Sequence, residues 1–407
     1  MTTVAPKTSI VNVNLIMVFS VTLMAVLGVA SITPAFPLMS QQLGIPRELI
    51  YLVIIVFTLP GVILTPLLGV GADRLGRKRI LVPSLLLFGF AGFACSFSQP
   101  IGISLSVSPF MVLLFFRIIQ GVGAASLGSL NVTIIGDLYK HQQRIQAISY
   151  NASIQSIATA SYPTIGGFLA LFGWFFPFYL PLLAIPIGLL VMFILEVPKH
   201  ENRIHLGQYL RQVGAILHDR KVAGLFTVST SLFIMLYGAI ITYLPFFLTT
   251  QFFVDPLTIG LVISLISVAS AIIAPIVGIV TPKVPMKFLL LGAFPFFALG
   301  LTLIPLSQTL MLLLLPVVLY GIAMGLAMPT IQTLLVSLAS TEYRAALMSL
   351  QGFVLRLGQT LGPFIMAFVI VYWNISGVYW FAAILALIMI PVVLLTIIHE
   401  PGDKDVP

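Results

Sequence analysis

Apolar residues in this chain fall in long unbroken runs, and the polar residues gather in short clusters between them. A helix needs about 20 mostly apolar residues to cross a bilayer. About twelve runs of that kind fill the sequence, at roughly 12–36, 48–68, 80–98, 108–136, 146–171, 174–195, 222–249, 257–280, 287–306, 309–338, 345–372 and 377–398. The pattern predicts an all-α polytopic membrane protein with about 12 transmembrane helices. No room remains for a soluble catalytic domain. The first run is full length and lacks the short core and small-residue cleavage site of a removable signal, so it is read as the first span.

Composition agrees. Charged residues are 7% of the chain and hydrophobic ones 59%, with a mean hydropathy of +1.15, against about 25% charge in soluble domains. The net charge of +8 reflects topology, not a nucleic-acid partner. With the N-terminus inside, sixteen of the 19 Lys and Arg fall on the cytoplasmic side, Arg47 falls outside, and Arg117 and Arg356 lie within spans. That bias is the positive-inside pattern, and it places both termini in the cytoplasm. The partner so implied is the lipid bilayer. A single cysteine, Cys95, allows neither an internal disulfide nor a cysteine-rich metal site, and no cofactor is expected.

The longest polar stretch, 197–221, divides the chain into an N-terminal six-helix bundle, 1–196, and a C-terminal one, 222–407. Leu206, Tyr209, Leu210, Val213, Ile216 and Leu217 recur there at helical spacing, which predicts an amphipathic helix on the inner membrane surface. A shift of 200 residues superposes Gly121 on Gly321, Arg144 on Arg344, Ser149 on Ser349 and Pro163 on Pro363. The two bundles therefore read as repeats, the organisation of transporters that bind substrate near the midplane and rock one half against the other.

Between the second and third runs stands Gly69-Val-Gly-Ala-Asp73-Arg74-Leu-Gly76-Arg77-Lys78-Arg79. Written G-x-x-x-D-R-x-G-R-K-R, it resembles the signature loop of the major facilitator superfamily. The fourth span, Arg117-Ile-Ile-Gln120-Gly121-Val-Gly123-Ala-Ala125, resembles that family's R-x-x-Q-G-x-G-x-A motif. In the fifth, Ser161-Tyr162-Pro163-Thr-Ile-Gly166-Gly167 partly matches the G-P-x-x-G-G motif of its twelve-helix drug-proton antiporters. Tyr162 and Ala158 stand where that motif has glycines, and Gly362-Pro363 echoes it in the eleventh span. The resemblance implies a secondary transporter working by alternating access, with Pro163, Gly166, Gly167, Gly362 and Pro363 as kink positions. It further implies a conformational latch of Gly69, Asp73, Arg77 and Asp137, in which the acid closing the fourth span pairs with the loop arginine and holds the outward-facing state. Asp73 and Arg77, four apart, face each other if the turn between them is helical.

Arg117 lies about 12 Å deep at 1.5 Å per residue, where a cation costs a few kcal/mol unless it meets water or a partner. Gln120 shares its face, and Arg356 with Gln359 repeats the R-x-x-Q spacing in the eleventh span. These four, with Asn151 and Gln155 of the polar fifth span, are the expected substrate cavity. None of the eleven Asp and Glu lies deep in a span, and Gly28 stands near where many exporters of the resembled family carry an acid. A coupling proton would then use a peripheral acid such as Asp137, or the coupling ion is another, or there is none. The expected function is export of hydrophobic or amphipathic small molecules, of the multidrug type, by a monomer in a prokaryotic inner membrane. The alternative within the class is a carrier of anionic or lipid-like substrates held by Arg117 and Arg356. A polytopic membrane enzyme is the alternative outside it, and no cluster of His, Asp, Glu, Ser or Cys near one membrane face supports it.

Overall fold

The computed structural model describes residues 12–197, 214, 219–338 and 344–396. The amphipathic linker helix expected within 197–221 lies outside the described residues except at its edges. In chain order the helices are α1 (Val13–Ala30), α2 (Phe36–Leu43), α3 (Tyr51–Leu75), α4 (Arg77–Ala94), α5 (Ser98–Leu105), α6 (Pro109–Ala124), α7 (Leu127–Leu138), α8 (His141–Ala170) and α9 (Ala184–Ile194). The second half contributes α10 (Arg220–Ile234), a π-helical stretch Met235–Tyr243, α11 (Leu244–Phe252), α12 (Pro256–Val280), α13 (Met286–Leu303), α14 (Leu310–Leu338) and α15 (Arg344–Thr396).

Local chemistry sets the helix ends. Asn12 caps α1 by accepting the Leu15 amide at 3.0 Å, and Asp255 caps α12 by accepting that of Thr258 at 2.8 Å, with Pro256 at the first helical position. Gly44 closes α2 at φ 62°, and Gly76 separates α3 from α4 at φ 99°. Ten helical segments among the described residues are long and apolar enough to cross a membrane. The 30-residue α8 is outside that set, its first half carrying four Gln, two Ser and one Asn. The 53-residue α15 is two helices joined at Asn374, which adopts φ 62° and ψ −173°. The Asn374 side chain restarts the chain by accepting the Ser376 amide at 2.9 Å and that of Gly377 at 3.3 Å. The arrangement accommodates the twelve segments read from the sequence.

The repeat is visible in contacts. Asn151 of α8 accepts the Thr22 hydroxyl of α1 at 2.5 Å, and Gln351, two hundred residues on, donates to Ser229 of α10 at 3.1 Å. Gly121 and Gly321 likewise play one part twice. Each abuts backbone of the neighbouring helix, at Phe57 in α3 and at Ile266 in α12, so that a methyl group at either would displace main chain. Small residues let membrane helices approach closely where lipid supplies no hydrophobic drive between them.

The two halves meet at one end and part at the other. Between α3 and α15, Thr58 and Thr360 share a hydrogen bond of 2.8 Å, and the rings of Tyr51 and Phe364 lie edge to face at 6.5 Å. Between α8 and α12, Thr164 and Ser264 share one of 2.8 Å, Gly167 sits against the Pro256 carbonyl, and Gly260 sits against that of Pro163. All of these belong to the end remote from the basic loops. Toward the basic end, α8 buries only the stripe Ala147, Asn151, Ala158, with Ile154 partly covered, while Ser149, Ser153 and Ser156 stand exposed. Those serines continue the line that runs on through Thr164 and Gly167. They therefore lie on the face that meets α12 at the closed end. On α12, Ala271, Ile272 and Ile276 are exposed as well. The molecule is a cleft open to the basic, cytoplasmic face and sealed at the other.

If the sealed end is a gate, joining it should stop the cycle. Thr164→Cys with Ser264→Cys replaces hydroxyls 2.8 Å apart by thiols within disulfide reach, and Cys95 is buried and adds no background. Oxidation of the double variant is expected to abolish transport in proteoliposomes, reductant to restore it, and either single variant to behave as wild type. Wild-type transport by the oxidised protein would exclude a moving gate there.

Candidate functional site

The charged loop does not form the helical turn that would set Asp73 opposite Arg77. Gly76 breaks the chain between them, ending α3 at Leu75 and starting α4 at Arg77, so the two belong to different helices. Arg77 instead turns inward. Its guanidinium pairs with the Asp137 carboxylate, each side chain only 7% exposed, and donates to the Thr133 carbonyl at 2.9 Å. The Arg77–Asp137 pair thus ties α4 to α7 within one half, and it is formed while the cleft is open to the same face. Nearby bonds bind that face together: Lys78 to the Leu195 carbonyl at 2.8 Å, the Tyr139 hydroxyl to Asn12 at 2.8 Å, and the Glu196 amide to Asn14 at 3.1 Å. Gly69 and Gly71, on the last turns of α3, have open space where a side chain would stand.

Deeper in the same half, Arg117 of α6 is fully buried. Its Nε donates to the Val53 carbonyl at 3.1 Å, and its Nη1 donates to the Gly28 carbonyl at 3.0 Å and to Gln120 Oε1 at 2.7 Å. The guanidinium carbon lies 4.2 Å from the centre of the Phe57 ring. These contacts place the cation among α1, α3 and α6, away from the open cleft. They also give the acid-free first span a physical sense. Phe57 occupies the space a side chain at Gly28 would need, and the Gly28 carbonyl accepts the bond that an acid there would have taken. Gln120 is equally buried, walled by Gly92 and Pro181.

In the second half the geometry differs. Arg356 is partly exposed. Its Nη1 donates to Gln359 Oε1 at 3.2 Å, and Gln359 Nε2 donates to the Tyr237 hydroxyl at 2.8 Å. The aliphatic stem of Arg356 runs along α3, where a Cβ on Gly61 would sit 3.3 Å from its Cδ. Arg356 precedes Thr360 by one helical turn, and Gly61 follows Thr58 by three residues. The cation therefore sits one turn inside the seal, at the floor of the cleft, where both halves touch it.

The remaining expected residues separate into two groups. Gln155 is exposed on α8, whereas Asn151 is buried and engaged by Thr22, which also accepts from Asn131 of α7. Gly166 packs against the Ser31 carbonyl and Gly167 against that of Pro256, while Gly362 packs against the backbone of Ile234 and Gly238. α8 runs unbroken through Pro163, and α15 likewise carries Pro363 inside it. These positions are close helix crossings. Tyr237 was not foreseen. It lies in the π-helical stretch Met235–Tyr243, a local widening that often marks functional sites and has no sequence pattern of its own.

The Major Facilitator Superfamily model matches residues 18–355 and 229–407 of this chain. The bacillibactin exporter of Bacillus subtilis (strain 168) is 25% identical over 364 residues, covering 86% of this chain and 88% of that relative. The quinolone resistance protein NorA of Staphylococcus aureus (strain Mu50 / ATCC 700699) is 28% identical over 153 residues, 38% of this chain and 37% of NorA. Among solved structures, a D-xylose-proton symporter superposes with a TM-score of 0.75 at 15% identity, covering 96% of this chain and 98% of its own. A bacterial homolog of the human lysosomal transporter Spinster, in an inward-facing and occupied conformation, gives 0.74 at 14% identity, over 97% and 98%.

The buried Arg77–Asp137 pair generates a stability test. Removing one partner of a buried pair strands a charge, at a cost of about 3–5 kcal/mol. Arg77→Ala and Asp137→Ala are each expected to lower the thermal unfolding midpoint of the detergent-purified protein more than the double variant does. A double variant as unstable as the two single losses combined would show that the charges do not act as a pair.

Proposed function

The chain belongs to the Major Facilitator Superfamily, a family of multi-pass membrane transporters and not enzymes, and from that premise we propose that it exports hydrophobic or amphipathic small molecules by alternating access. The observation that carries the proposal is the cleft, open to the basic face and sealed at the other by four helices from the two halves. A substrate entering from the cytoplasm meets a wall of apolar residues interrupted by Gln155, Ser153 and Ser156 of α8 and by the Arg356–Gln359–Tyr237 group. Such a surface suits a molecule that is mostly apolar with a few polar groups. The relative named as an exporter supports the outward direction, and the bacterial sources of both relatives support a plasma membrane. The fold needs no second copy to complete the cleft, and we take the monomer as the working unit.

The switch is proposed to lie at the basic face. When the cleft closes there, the second half lands on the last turns of α3, where Gly69 and Gly71 leave room for it. Asp73 stands at the same turns, and the Arg77–Asp137 pair keeps α4 and α7 aligned to receive it. The latch is thus a docking surface braced by an ion pair, with Asp73 of the signature loop at its edge.

Coupling follows from where the acids are. The described carboxylates lie at or near helix ends: Glu48, Asp137, Glu196, Asp219 and Asp255. Asp137 is held by Arg77. A proton driven across the membrane has no carboxylate at the cleft floor to ride on. Transport by the purified protein in proteoliposomes, with cationic, neutral and anionic amphiphiles each tested with and without a pH gradient, decides both points. Export-direction movement of amphiphiles with weak dependence on the gradient is expected. Failure to move any of them would overturn the exporter reading. Strong pH-driven movement that survives Asp73→Asn and Asp137→Asn would overturn the coupling argument.

A further inference from the structure

We propose that the group Arg356, Gln359 and Tyr237 at the floor of the cleft is an oxyanion subsite, and that the molecules this protein carries are amphipathic anions which dock a carboxylate, phosphate or sulfonate there. The inference rests on the exporter reading only in using the same cleft.

The two intramembrane arginines separate on geometry. Arg117 is fully buried: its Nε and Nη1 donate to two carbonyls and a glutamine, the Phe57 ring lies against it, and Nη2, though without a hydrogen-bond partner among the described residues, is sealed from solvent. It holds three helices together and offers nothing to a ligand. Arg356 makes a single side-chain hydrogen bond among the described residues, from Nη1 to Gln359. Among the described residues its Nε and Nη2 meet no acceptor, and neither is fully buried. No carboxylate among the described residues pairs with it. A guanidinium presents its N–H groups as a planar fork matched to an oxyanion, and at this depth an unneutralised cation is costly. A substrate anion supplies the missing charge.

The neighbours fix the fork for that purpose. Gln359 accepts from Arg356 on one side and donates to the Tyr237 hydroxyl on the other. With its lone pair so occupied, the Tyr237 O–H is left to donate. Tyr237 is partly exposed, and its hydroxyl and the guanidinium then offer donors from the π-helical stretch and from α15 of the second half. The site also touches the moving seam, since the Arg356 stem lies on Gly61 of α3 in the first half, one turn from Thr58–Thr360. An anion bound there bears on the contact that must break for the sealed end to open. Binding and gate opening are coupled through one residue.

The test is binding, not transport. Dansyl-undecanoic acid and its primary amide have the same fluorophore and chain and differ in charge. Their affinities for the wild-type protein in lipid nanodiscs, corrected for empty discs, should differ by about tenfold to a hundredfold in favour of the acid, the range of one or two charge-assisted hydrogen bonds. Arg356→Gln should erase the preference and leave amide affinity unchanged. Arg356→Lys should keep part of it, and Tyr237→Phe should reduce it severalfold while the protein remains folded by its thermal midpoint. Equal affinity of the wild type for acid and amide, binding of neither probe, or a preference that persists in Arg356→Gln would each overturn the subsite. An acid preference that depends on Arg356 in a protein that moves no amphiphile in proteoliposomes would uphold it while removing the exporter reading.

Discussion

The constraint on which the rest of this structure depends is that polar groups inside the bilayer must find partners within the protein. Arg117 shows how the chain meets it without an acid. Main-chain carbonyls of α1 and α3 and the amide oxygen of Gln120 take the place of a carboxylate at Nε and Nη1, and the Phe57 ring lies against the guanidinium, which leaves Nη2 alone without a hydrogen bond. The carbonyl of Gly28 is reachable because glycine leaves the ring of Phe57 room to lie against it. One small residue in the first span thus allows a buried cation in the fourth. The same logic runs through Thr22, Asn131 and Asn151, where three helices of the first half share one hydrogen-bonded cluster. Each half is held rigid from within by such polar ties, and rigidity within halves is what lets them move against each other as bodies.

Contacts between the halves are of another kind. At the sealed end they are glycine against backbone and hydroxyl against hydroxyl, with no ion pair among the described residues. Bonds between neutral hydroxyls contribute about 0.5–1.5 kcal/mol each, and small residues pack tightly without interlocking. A seam built this way can part and reform. Buried charge lies instead inside the first half, at Arg77–Asp137, where it ties α4 to α7. Strong interactions maintain the bodies and weak ones close the gate.

Much of this was legible in the sequence because membrane physics writes itself in composition. Twelve apolar runs, the bias of Lys and Arg to one side and the 200-residue repeat gave the architecture, and the loop and fourth-span motifs gave the family. The pairing of Arg77 with Asp137 was expected and is present in the geometry. What the sequence could not supply was state and direction. Asp73 and Arg77 are four apart in number, yet Gly76 turns the chain between them, and a glycine's φ is not visible in its letter. Asn151 and Gln155 are both polar residues of one span, but the helix aims one at α1 and leaves the other exposed. Arg117 and Arg356 carry the same R-x-x-Q pattern, and only their surroundings distinguish a structural cation from an available one. The 200-residue match of Asn151 with Gln351 was equally hidden, because the partners Thr22 and Ser229 sit at a different offset.

The unequal fates of the two arginines bear on how such a protein can work without an intramembrane acid. A titratable acid lets a transporter change the charge of its own cavity between states. Here the cavity keeps a fixed positive charge, so the cost of exposing or sealing it depends on what is bound. With the cleft open, water reaches Arg356 and solvates it. Closing the cleft without a ligand would strip that water from an unpaired guanidinium, at a desolvation cost of several kcal/mol. Closing it over an anion would seal a neutral pair whose hydrogen bonds are already made. A fixed cation at the floor of the cleft therefore makes closure over an anion less costly than closure over an empty cleft.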